Sequence, residues 1–418
     1  MKELLHQLLG GLKNMGTNMV KILKKINKYE YFVLRDYDDE NKINNCSDVD
    51  MYVSEKDINK VQKILEKEGF VLQKNIPCKY PHLQYKKISD RIYRFDVVTK
   101  LMYGKNQYYF IPEKNNLTYE TDKTNFDVKI PNKQLAIYTM LLHILFDKND
   151  FSEKNYTLMQ NLIKKEKTDN DVINKIIEDI RNNDIEKCNN NIQNYQKLVL
   201  DNNIMKSNHA KKYCDFKILI KKIYTALKRR LERRNVAVIG VDGSGKSTTI
   251  EELHNILGSE SIIVYMGLKN FKFKYCKDNE SFQGLNGIQK LKYYTLLYID
   301  FLCRYFKYRY TSKIVIFDRY IYDTLANDKK PRLKKILDDI FYKVLYPKPK
   351  LIYYLHCDVE TSLKRKNDIN DVERFNKYKN NYDRVVKKNK KIKEISSNRY
   401  NNDQIIQIIA KDLNKYKY

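Results

Sequence analysis

A glycine-rich segment at residues 240–248 constrains this chain more than any other feature. It reads GVDGSGKST and fits the pattern G-x-x-x-x-G-K-[ST]. The apolar run NVAVIG leads into it, and a helical pattern begins near Lys246. A strand, a glycine-rich turn and a helix in this order aim backbone N–H groups and the positive end of a helix at one point. The sequence therefore predicts a phosphate-binding loop between a strand and a helix.

The side chains of this loop have separate predicted tasks. Its three glycines let the backbone turn tightly. The Lys246 ammonium supplies a positive charge for the β- and γ-phosphates of a nucleotide, and the Ser247 hydroxyl is suited to Mg²⁺. The predicted nucleotide-binding residues are Gly240, Asp242, Gly243, Ser244, Gly245, Lys246, Ser247 and Thr248.

Apolar runs rich in Val and Ile recur along the C-terminal half of the chain. They occupy residues 235–240, 261–266, 313–317 and 350–356, and helical patterns separate them. This alternation is typical of a parallel sheet that is covered on both faces. We therefore predict an α/β fold with a doubly wound parallel sheet for residues 235–418.

An acidic and a basic residue follow the third of these runs. Asp318 and Arg319 stand at the carboxyl end of the predicted strand at 313–317, where doubly wound sheets bind their ligands. An ionised Asp318 is suited to assist Mg²⁺ or a catalytic water. The planar guanidinium of Arg319 suits the phosphate of an acceptor. We predict that both belong to the same site as the loop.

Residues 235–418 resemble the thymidylate kinase family of P-loop nucleoside monophosphate kinases. The resemblance rests on GVDGSGKST, on FDRYIYD at 317–323 and on the later order of elements. It implies that the γ-phosphoryl group of ATP passes to a nucleoside monophosphate, dTMP by analogy, with Mg²⁺ bound at Ser247 and Asp318. Lys246 would handle the donor phosphates, Asp242 the acceptor sugar and Arg319 the acceptor phosphate.

The same resemblance implies a basic lid over residues 364–382. Some members of the family carry a catalytic Arg inside the loop, where this chain has Gly243. The missing cation is then expected from the lid, and Arg365, Lys366 and Arg374 are the candidates. We select Arg365. A lid cation would neutralise charge that develops on the transferring phosphoryl group.

The segment after the second predicted strand differs from the family. Members that act on thymidylate carry Arg-Glu-Pro-Gly there, and residues 265–269 of this chain read YMGLK. Because that segment shapes the acceptor pocket, the acceptor stays open. It is a nucleotide, or a sugar, polyol or other phosphomonoester of surface-polysaccharide biosynthesis.

A second group of carboxylates lies in the N-terminal half. Asp48 and Asp50 form a D-x-D pair whose side chains share one face of a strand, and Asp96 lies in another predicted strand. Three such carboxylates suit Mg²⁺. The region 34–53 resembles the polymerase-β-type nucleotidyltransferase superfold, although no Gly lies between Leu34 and Asp50, where that superfold has a Gly-Ser pair.

These patterns divide the chain into four parts. We predict a nucleotidyltransferase-like α+β domain at 1–150, a peripheral helical extension at 151–208, a basic amphipathic linker helix at 209–234 and the kinase-like domain at 235–418. The apolar face of the linker helix is expected to pack on a neighbouring domain. An anionic lipid or nucleic-acid surface is the alternative partner for its basic face.

Charge and composition exclude several classes of protein. The formal charge is +28, but Lys, Asn, Ile and Tyr dominate while Trp is absent, so we attribute the charge to composition bias. Nucleic acid is not expected as a partner, although a nucleic-acid-binding or end-modifying protein is the alternative from another class. We find no transmembrane segment or secretory signal and no CxxC motif, so a cytoplasmic protein is expected. Its partner is a small phosphate acceptor, and a homodimer is left open.

Overall fold

The structure of this protein is a computed structural model in which the chain divides into two units. It describes residues 16–35, 37–73, 82–104, 109–111, 119–164, 166–207, 219–220, 223–224, 235–267, 273–274, 276, 285–309, 311, 313–326, 346–365 and 372–415. The N-terminal unit lies within residues 13–225 and includes 414–418. The C-terminal unit lies within residues 226–413.

A five-stranded sheet forms the centre of the C-terminal unit. Its strands are β11 (Asn235–Ile239), β12 (Ser261–Tyr265), β13 (Ile314–Asp318), β14 (Leu351–His356) and β15 (Ile392–Ser396). Their order across the sheet is β12-β13-β11-β14-β15, and every neighbouring pair is parallel. The predicted parallel sheet of the C-terminal region is thus confirmed.

The central strand β11 is buried on both faces of the sheet. Ala237 and Ile239 point to one face, Val236 and Val238 point to the other, and all four are at most 1% exposed. A strand buried on both faces carries apolar residues at every position, which is why the sequence runs are continuous. The helices of this unit are α9 (Lys246–Leu257), α10 (Gly287–Arg309), α11 (Tyr322–Ala326), α12 (Val359–Arg365), α13 (Val372–Lys387) and α14 (Asn402–Asn414).

Strand β15 is absent from the sequence prediction. The last predicted apolar run covers residues 350–356, whereas the structure adds β15, which begins at Ile392 after α13 ends at Lys387. Lys393 and Glu394 are exposed, because β15 is an edge strand that lies beside β14 alone. Charged residues on an edge strand interrupt the apolar run by which the other four strands were recognised.

The N-terminal unit contains a mixed five-stranded sheet. Its strands are β1 (Tyr31–Val33), β2 (Asp48–Val53), β3 (Val71–Leu72), β4 (His82–Ile88) and β5 (Ile92–Val98), in the order β1-β2-β5-β4-β3. β2 and β5 are parallel, and the other neighbours are antiparallel. Short strands follow as β6 (Met102–Tyr103), β7 (Tyr109–Phe110), β8 (Thr121–Lys123), β9 (Lys129–Pro131) and β10 (Lys206–Ser207).

Two hydrophobic cores flank this sheet. The first three helices, α1 (Met19–Lys25), α2 (Glu40–Asn45) and α3 (Ile58–Lys67), contribute to the core on one face. The other core joins Phe32 and Tyr52 to the later helices. Those helices are α4 (Lys133–Leu142), which continues as a π-helix at His143–Lys148, α5 (Glu153–Ile163), α6 (Asp171–Asn182), α7 (Ile185–Asn190) and α8 (Ile192–Asp201).

The helices at 151–208 are therefore part of a core, and the prediction that they are peripheral is wrong. Ile173, Ile176, Ile177 and Ile180 on α6 are each at most 2% exposed. Their spacing places them on one helix face, and that face packs in the same core as α4. The high Lys and Asn content of the segment describes only its outer surface.

Two further predictions concern the linker helix and membrane-spanning segments. Of the linker helix predicted at 209–234, only residues 219–220 and 223–224 are described. Within the described ranges, no helix combines the length and the apolar character that a membrane crossing requires. The five described cysteines are free.

Two isoleucines that lie opposite each other on β12 and β13 should differ in how much they contribute to the stability of the C-terminal unit. Ile316 is fully buried, whereas Ile263 is 37% exposed. We expect Ile316→Ala to lower the free energy of unfolding of the C-terminal unit by about 2–5 kcal/mol, because it leaves a cavity. Ile263→Ala should cost less than about 1 kcal/mol. Urea unfolding measures both, and equal costs would contradict the burial of Ile316.

Candidate active site

The glycine-rich loop leaves β11 and runs directly into α9. Gly243 and Gly245 have φ values of +79° and +89°, which side chains rarely adopt. A Cβ on Gly243 would lie 2.7 Å from the carbonyl oxygen of Ser362, and a Cβ on Gly240 would lie 2.6 Å from that of Leu355. The loop backbone therefore needs glycine at these positions both for its turn and for its close approach to neighbouring chain.

Lys246 is the first residue of α9 and lies under the loop. It is 5% exposed, and its Nζ donates a hydrogen bond of 2.6 Å to the carbonyl oxygen of Val241. Burial lowers the pKa of this ammonium, and the nearby Arg319 acts in the same direction. The protein thus holds a positive charge in a place where water solvates it poorly, and an anionic ligand would stabilise that charge.

The loop fits the phosphates of a nucleotide. Gly245 precedes α9 and has no side chain to cap it, so the first N–H groups of the helix point out of its end. The Ser244 hydroxyl is fully buried, and no described group forms a hydrogen bond with its Oγ. A phosphate oxygen in the cavity would accept hydrogen bonds from the N–H groups at the start of α9. The residues present therefore fit the triphosphate of ATP.

Asp318 and Arg319 lie at the carboxyl end of β13, as predicted. Arg319 adopts a φ of +67°, which is unfavourable for a residue with a side chain, and its N–H donates to the carbonyl oxygen of Val238 on the neighbouring strand. Its guanidinium donates to Asp242 at 2.6 Å and to Asp323 at 2.7 Å. Two carboxylates therefore fix the direction of the Arg319 side chain.

One cavity of about 600 Å³ joins the loop to the end of β13. Its lining contains most of the predicted site residues, and also Tyr265 from the end of β12. The lining residues are Asp242, Gly243, Gly245, Lys246, Ser247, Thr248, Tyr265, Asp318, Arg319 and Arg365. Gly240 and Ser244 belong to the loop but not to this lining. Tyr265 was noted in the sequence only as a departure from a family pattern.

Arg365 is the predicted lid cation that the structure places in the cavity. It ends α12, and its guanidinium donates to the hydroxyl and carbonyl oxygens of Ser397 at 3.4 and 3.3 Å. Its Nη1 lies 3.9 Å from the point that a Cβ on Gly245 would occupy, so it lies beside the loop. Lys366 and the side chain of Arg374 fall outside the described residues.

The cavity also offers oxygen ligands of the kind that Mg²⁺ prefers. The Ser247 hydroxyl and the Asp318 carboxylate both line it. Burial raises the pKa of Asp318, while Arg319 and Lys246 oppose that shift. These two side chains fit a Mg²⁺ ion that accompanies a nucleotide.

The carboxylates of the N-terminal unit form a separate cluster. Asp50 on β2 lies opposite Asp96 on β5, with both side chains on one face of the sheet. Burial raises the pKa of Asp96, and the charges of Asp50 and Asp48 raise it further. The structure therefore brings the three predicted carboxylates close together.

This cluster already has internal partners. Arg35 pairs with Asp50 at 3.0 Å, Arg94 pairs with Asp48 at 2.9 Å, and Gln84 donates to Asp96 at 2.7 Å. In the described part of the chain, no group of three His, Cys, Asp or Glu side chains is arranged to hold a metal ion. As they stand, these carboxylates do not fit Mg²⁺, and the predicted metal site at Asp48, Asp50 and Asp96 stays a prediction.

A magnesium titration without nucleotide shows whether this carboxylate cluster binds Mg²⁺ or is held by its ion pairs alone. Both proteins carry Lys246→Ala, and one of them also carries Asp50→Asn. We expect Mg²⁺ to leave the thermal unfolding midpoint of both proteins unchanged. The reason is that Arg35 already neutralises the Asp50 carboxylate. A rise in the midpoint that Asp50→Asn removes would instead show that the cluster binds the ion.

The buried carboxyl of Asp318 predicts a pH-dependent stability. A raised pKa means that the folded protein binds the proton more tightly than the unfolded chain does. Stability then falls as the pH rises through that pKa. We expect Asp318→Asn to raise the free energy of unfolding at pH 7.5, and this gain should shrink as the pH approaches 4. Urea unfolding at both pH values measures it.

Asp358 serves as a control, because its pKa is shifted in the direction opposite to that of Asp318. Its carboxylate accepts a hydrogen bond from the Thr361 N–H at 2.7 Å, and bonding to Thr361 lowers its pKa. Asp358→Asn should therefore reduce stability at pH 7.5, with the difference fading as the pH falls. The same sign for both variants would contradict the assigned environment of Asp318.

A comparison with protein families finds a similarity in the C-terminal part of the chain. Residues 238–406, about two fifths of the chain, match the family model described as thymidylate kinase. No curated protein matches the chain. Similar solved structures include a deoxyadenosine kinase from M. mycoides with products dCMP and a flexible dCDP bound, at 18% identity and a TM-score of 0.34, which covers 44% of this chain and 100% of that one.

Two thymidylate kinase structures are also similar to this chain. The enzyme from Candida albicans is 20% identical with a TM-score of 0.33, covering 44% of this chain and 94% of that one. The enzyme from Ehrlichia chaffeensis is 21% identical with a TM-score of 0.30, covering 42% and 97%. The match over residues 238–406 shows that this part of the chain is similar to thymidylate kinases and supports an ATP-dependent kinase.

Proposed function

We propose that the C-terminal unit transfers the γ-phosphoryl group of ATP to a nucleoside monophosphate, with thymidylate as the first acceptor to test. One observation carries the proposal: Lys246, Asp318 and Arg319 line a single cavity at the carboxyl edge of a parallel sheet. In such sheets this edge is the usual place for ligands. The two predicted halves of the site thus face the same space.

The donor end of the cavity is formed by the loop and α9. The N–H groups of the loop and the Lys246 ammonium bind the phosphates of ATP, and Arg365 contributes a second cation beside Gly245. When bound at Ser247 and Asp318, Mg²⁺ supplies additional positive charge for the phosphates. The arrangement stabilises negative charge on the phosphoryl group as it leaves ADP and bonds to the acceptor oxygen.

The acceptor end is formed by the ends of β12 and β13. Arg319 points into the cavity between Asp242 and Asp323. Its guanidinium supplies the positive charge at the acceptor end. We assign Arg319 to the acceptor phosphate and Asp242 to a hydroxyl of the acceptor sugar. Asp318 stands between the two ends and assists at the reacting oxygen.

A hydroxyl acceptor on a sugar or polyol is the second candidate. The observation in its favour is that both sides of the Arg319 guanidinium already donate to carboxylates. An acceptor without a phosphate would leave these ion pairs intact. Tyr265 also contributes an uncharged phenol to the cavity at the end of β12.

The nucleotidyltransferase-like fold of the N-terminal unit is a further part of the proposal. Its support is the pairing of β2 and β5, which sets Asp50 opposite Asp96. The ion pairs of this cluster argue against a bound metal in the arrangement seen. The magnesium titration described above tests whether the carboxylates of this unit bind a metal.

Removal of the loop lysine tests the proposed reaction. We expect Lys246→Ala to lower the rate of phosphoryl transfer from ATP by about 10²–10³-fold or more, because the charge on the phosphates is then uncompensated. The measurement uses γ-labelled ATP and a panel of acceptors: thymidylate, the other nucleoside monophosphates, and neutral sugars and polyols.

Lys391→Ala is the matched control, since Lys391 is an exposed lysine of the same unit. This variant should transfer the phosphoryl group of ATP at the wild-type rate. Turnover of thymidylate supports the first acceptor, and turnover of a sugar without thymidylate supports the second. An unchanged rate in Lys246→Ala with every acceptor would contradict the proposed reaction.

A further inference from the structure

The chain at the end of β12 is anchored by an arginine on α10. Arg304 donates from Nη1 to the carbonyl oxygens of Tyr265 and Gly267 at 3.4 and 3.2 Å. Its other terminal nitrogen pairs with Asp300, one turn earlier on the same helix. Three contacts of one guanidinium therefore fix the path of residues 265–267 against α10.

This anchor is buried. Asp300 is fully buried and the Arg304 side chain is 14% exposed. A buried ion pair gains little stability over apolar residues of similar size, because both charges lose their water. Such a pair is instead suited to fixing one conformation of the groups that it bonds. The groups it bonds here are the backbone carbonyls on either side of Met266.

Gly267 leaves space for two side chains of the cavity. A Cβ at this position would clash with the phenol oxygen and Cζ of Tyr265 and would lie 2.8 Å from Cδ of Arg319. The Tyr265 ring and the stem of Arg319 therefore border the space next to the Gly267 backbone. Any residue larger than glycine would displace at least one of them.

Strand pairing brings the same residues to the reacting centre. Tyr265 lies opposite Asp318 across the parallel strands β12 and β13, and the Met266 N–H donates to the Asp318 carbonyl oxygen at 2.8 Å. Tyr265, Asp318 and Arg319 all line the cavity. A shift of residues 265–267 would therefore change the acceptor end of the cavity and leave the loop around Lys246 in place.

We infer that Arg304, Gly267 and Tyr265 form an acceptor-positioning group for the reaction proposed above. Arg304 fixes the chain after β12, Gly267 leaves the necessary space, and the Tyr265 ring packs beside the Arg319 stem. Together they hold the Arg319 guanidinium in the direction that meets the acceptor. Arg304 and Gly267 act through other residues and are positioning residues, whereas Tyr265 borders the acceptor itself. The inference rests on the proposed function.

Steady-state kinetics with both substrates tests this group. We expect Gly267→Ala and Arg304→Met to raise the KM of the acceptor by about 10- to 100-fold, since small displacements at a reacting centre have effects of this size. The KM of ATP should stay within about twofold, because Lys246 and the loop glycines are positioned by Val241, Leu355 and Ser362 and not by this group. Tyr265→Phe should keep a low acceptor KM, while Tyr265→Ala should raise it, because the ring and not the hydroxyl packs beside Arg319.

Gly287→Ala is the control variant, since a Cβ at Gly287 meets no atom within 4 Å. It should behave as the wild type. Thermal unfolding and ATP binding are measured for each variant, and if Arg304→Met does not fold, Gly267→Ala and the two Tyr265 variants decide. Equal changes in both KM values, or none, would overturn the inference. A wild-type protein without turnover of any acceptor would overturn the proposed function itself.

Discussion

The close approach of the loop backbone to its neighbours is the constraint on which the proposed phosphate site depends. At Gly240 and Gly243 the chain passes so near to Leu355 and Ser362 that a Cβ would collide with their carbonyl oxygens. This approach places the loop around the Lys246 ammonium, which the Val241 carbonyl oxygen holds beneath it. The Asp242 carboxylate lies 3.9 Å from this ammonium and compensates the cost of burying the charge only in part, so an anionic ligand would stabilise it further.

The acceptor end of the cavity is also held in place before a ligand binds, but by ion pairs and hydrogen bonds of side chains. Arg319 combines an unfavourable backbone conformation with two ion pairs, and Tyr382 in turn donates to Asp323 at 2.6 Å. Backbone strain of this kind persists only where the surroundings enforce it. Here the enforcing groups are the carboxylates of Asp242 on the loop and of Asp323 on α11, and both hold the Arg319 guanidinium at the acceptor end of the cavity.

Much of this architecture was predictable because burial leaves a direct trace in the sequence. Strands β11 to β14 of the C-terminal sheet are continuous apolar runs, and the loop pattern fixes where the first of them ends. Strand β15 left no such trace, because an edge strand tolerates Lys393 and Glu394. The core of α4–α8 was missed although Ile173, Ile176, Ile177 and Ile180 have helical spacing, because the polar composition of the segment was given more weight than its periodicity.

Side-chain partners were less predictable than strands. The sequence placed Asp318 and Arg319 near the loop, but the pairing of Arg319 with Asp323 depends on a turn with positive φ that no residue type signals. Likewise, Arg35 and Arg94 become partners of Asp50 and Asp48 only through the register of the N-terminal sheet and its loops. Contacts between residues that are distant along the chain follow from the fold and not from local pattern.

Backbone amide exchange in the loop tests the central claim most directly. If the N–H groups of residues 243–247 bind phosphate oxygens, Mg²⁺ and a non-hydrolysable ATP analogue should slow hydrogen exchange there by tenfold or more, by an order-of-magnitude estimate, and leave β15 unchanged. Exchange in the loop that is the same with and without the nucleotide would contradict the account.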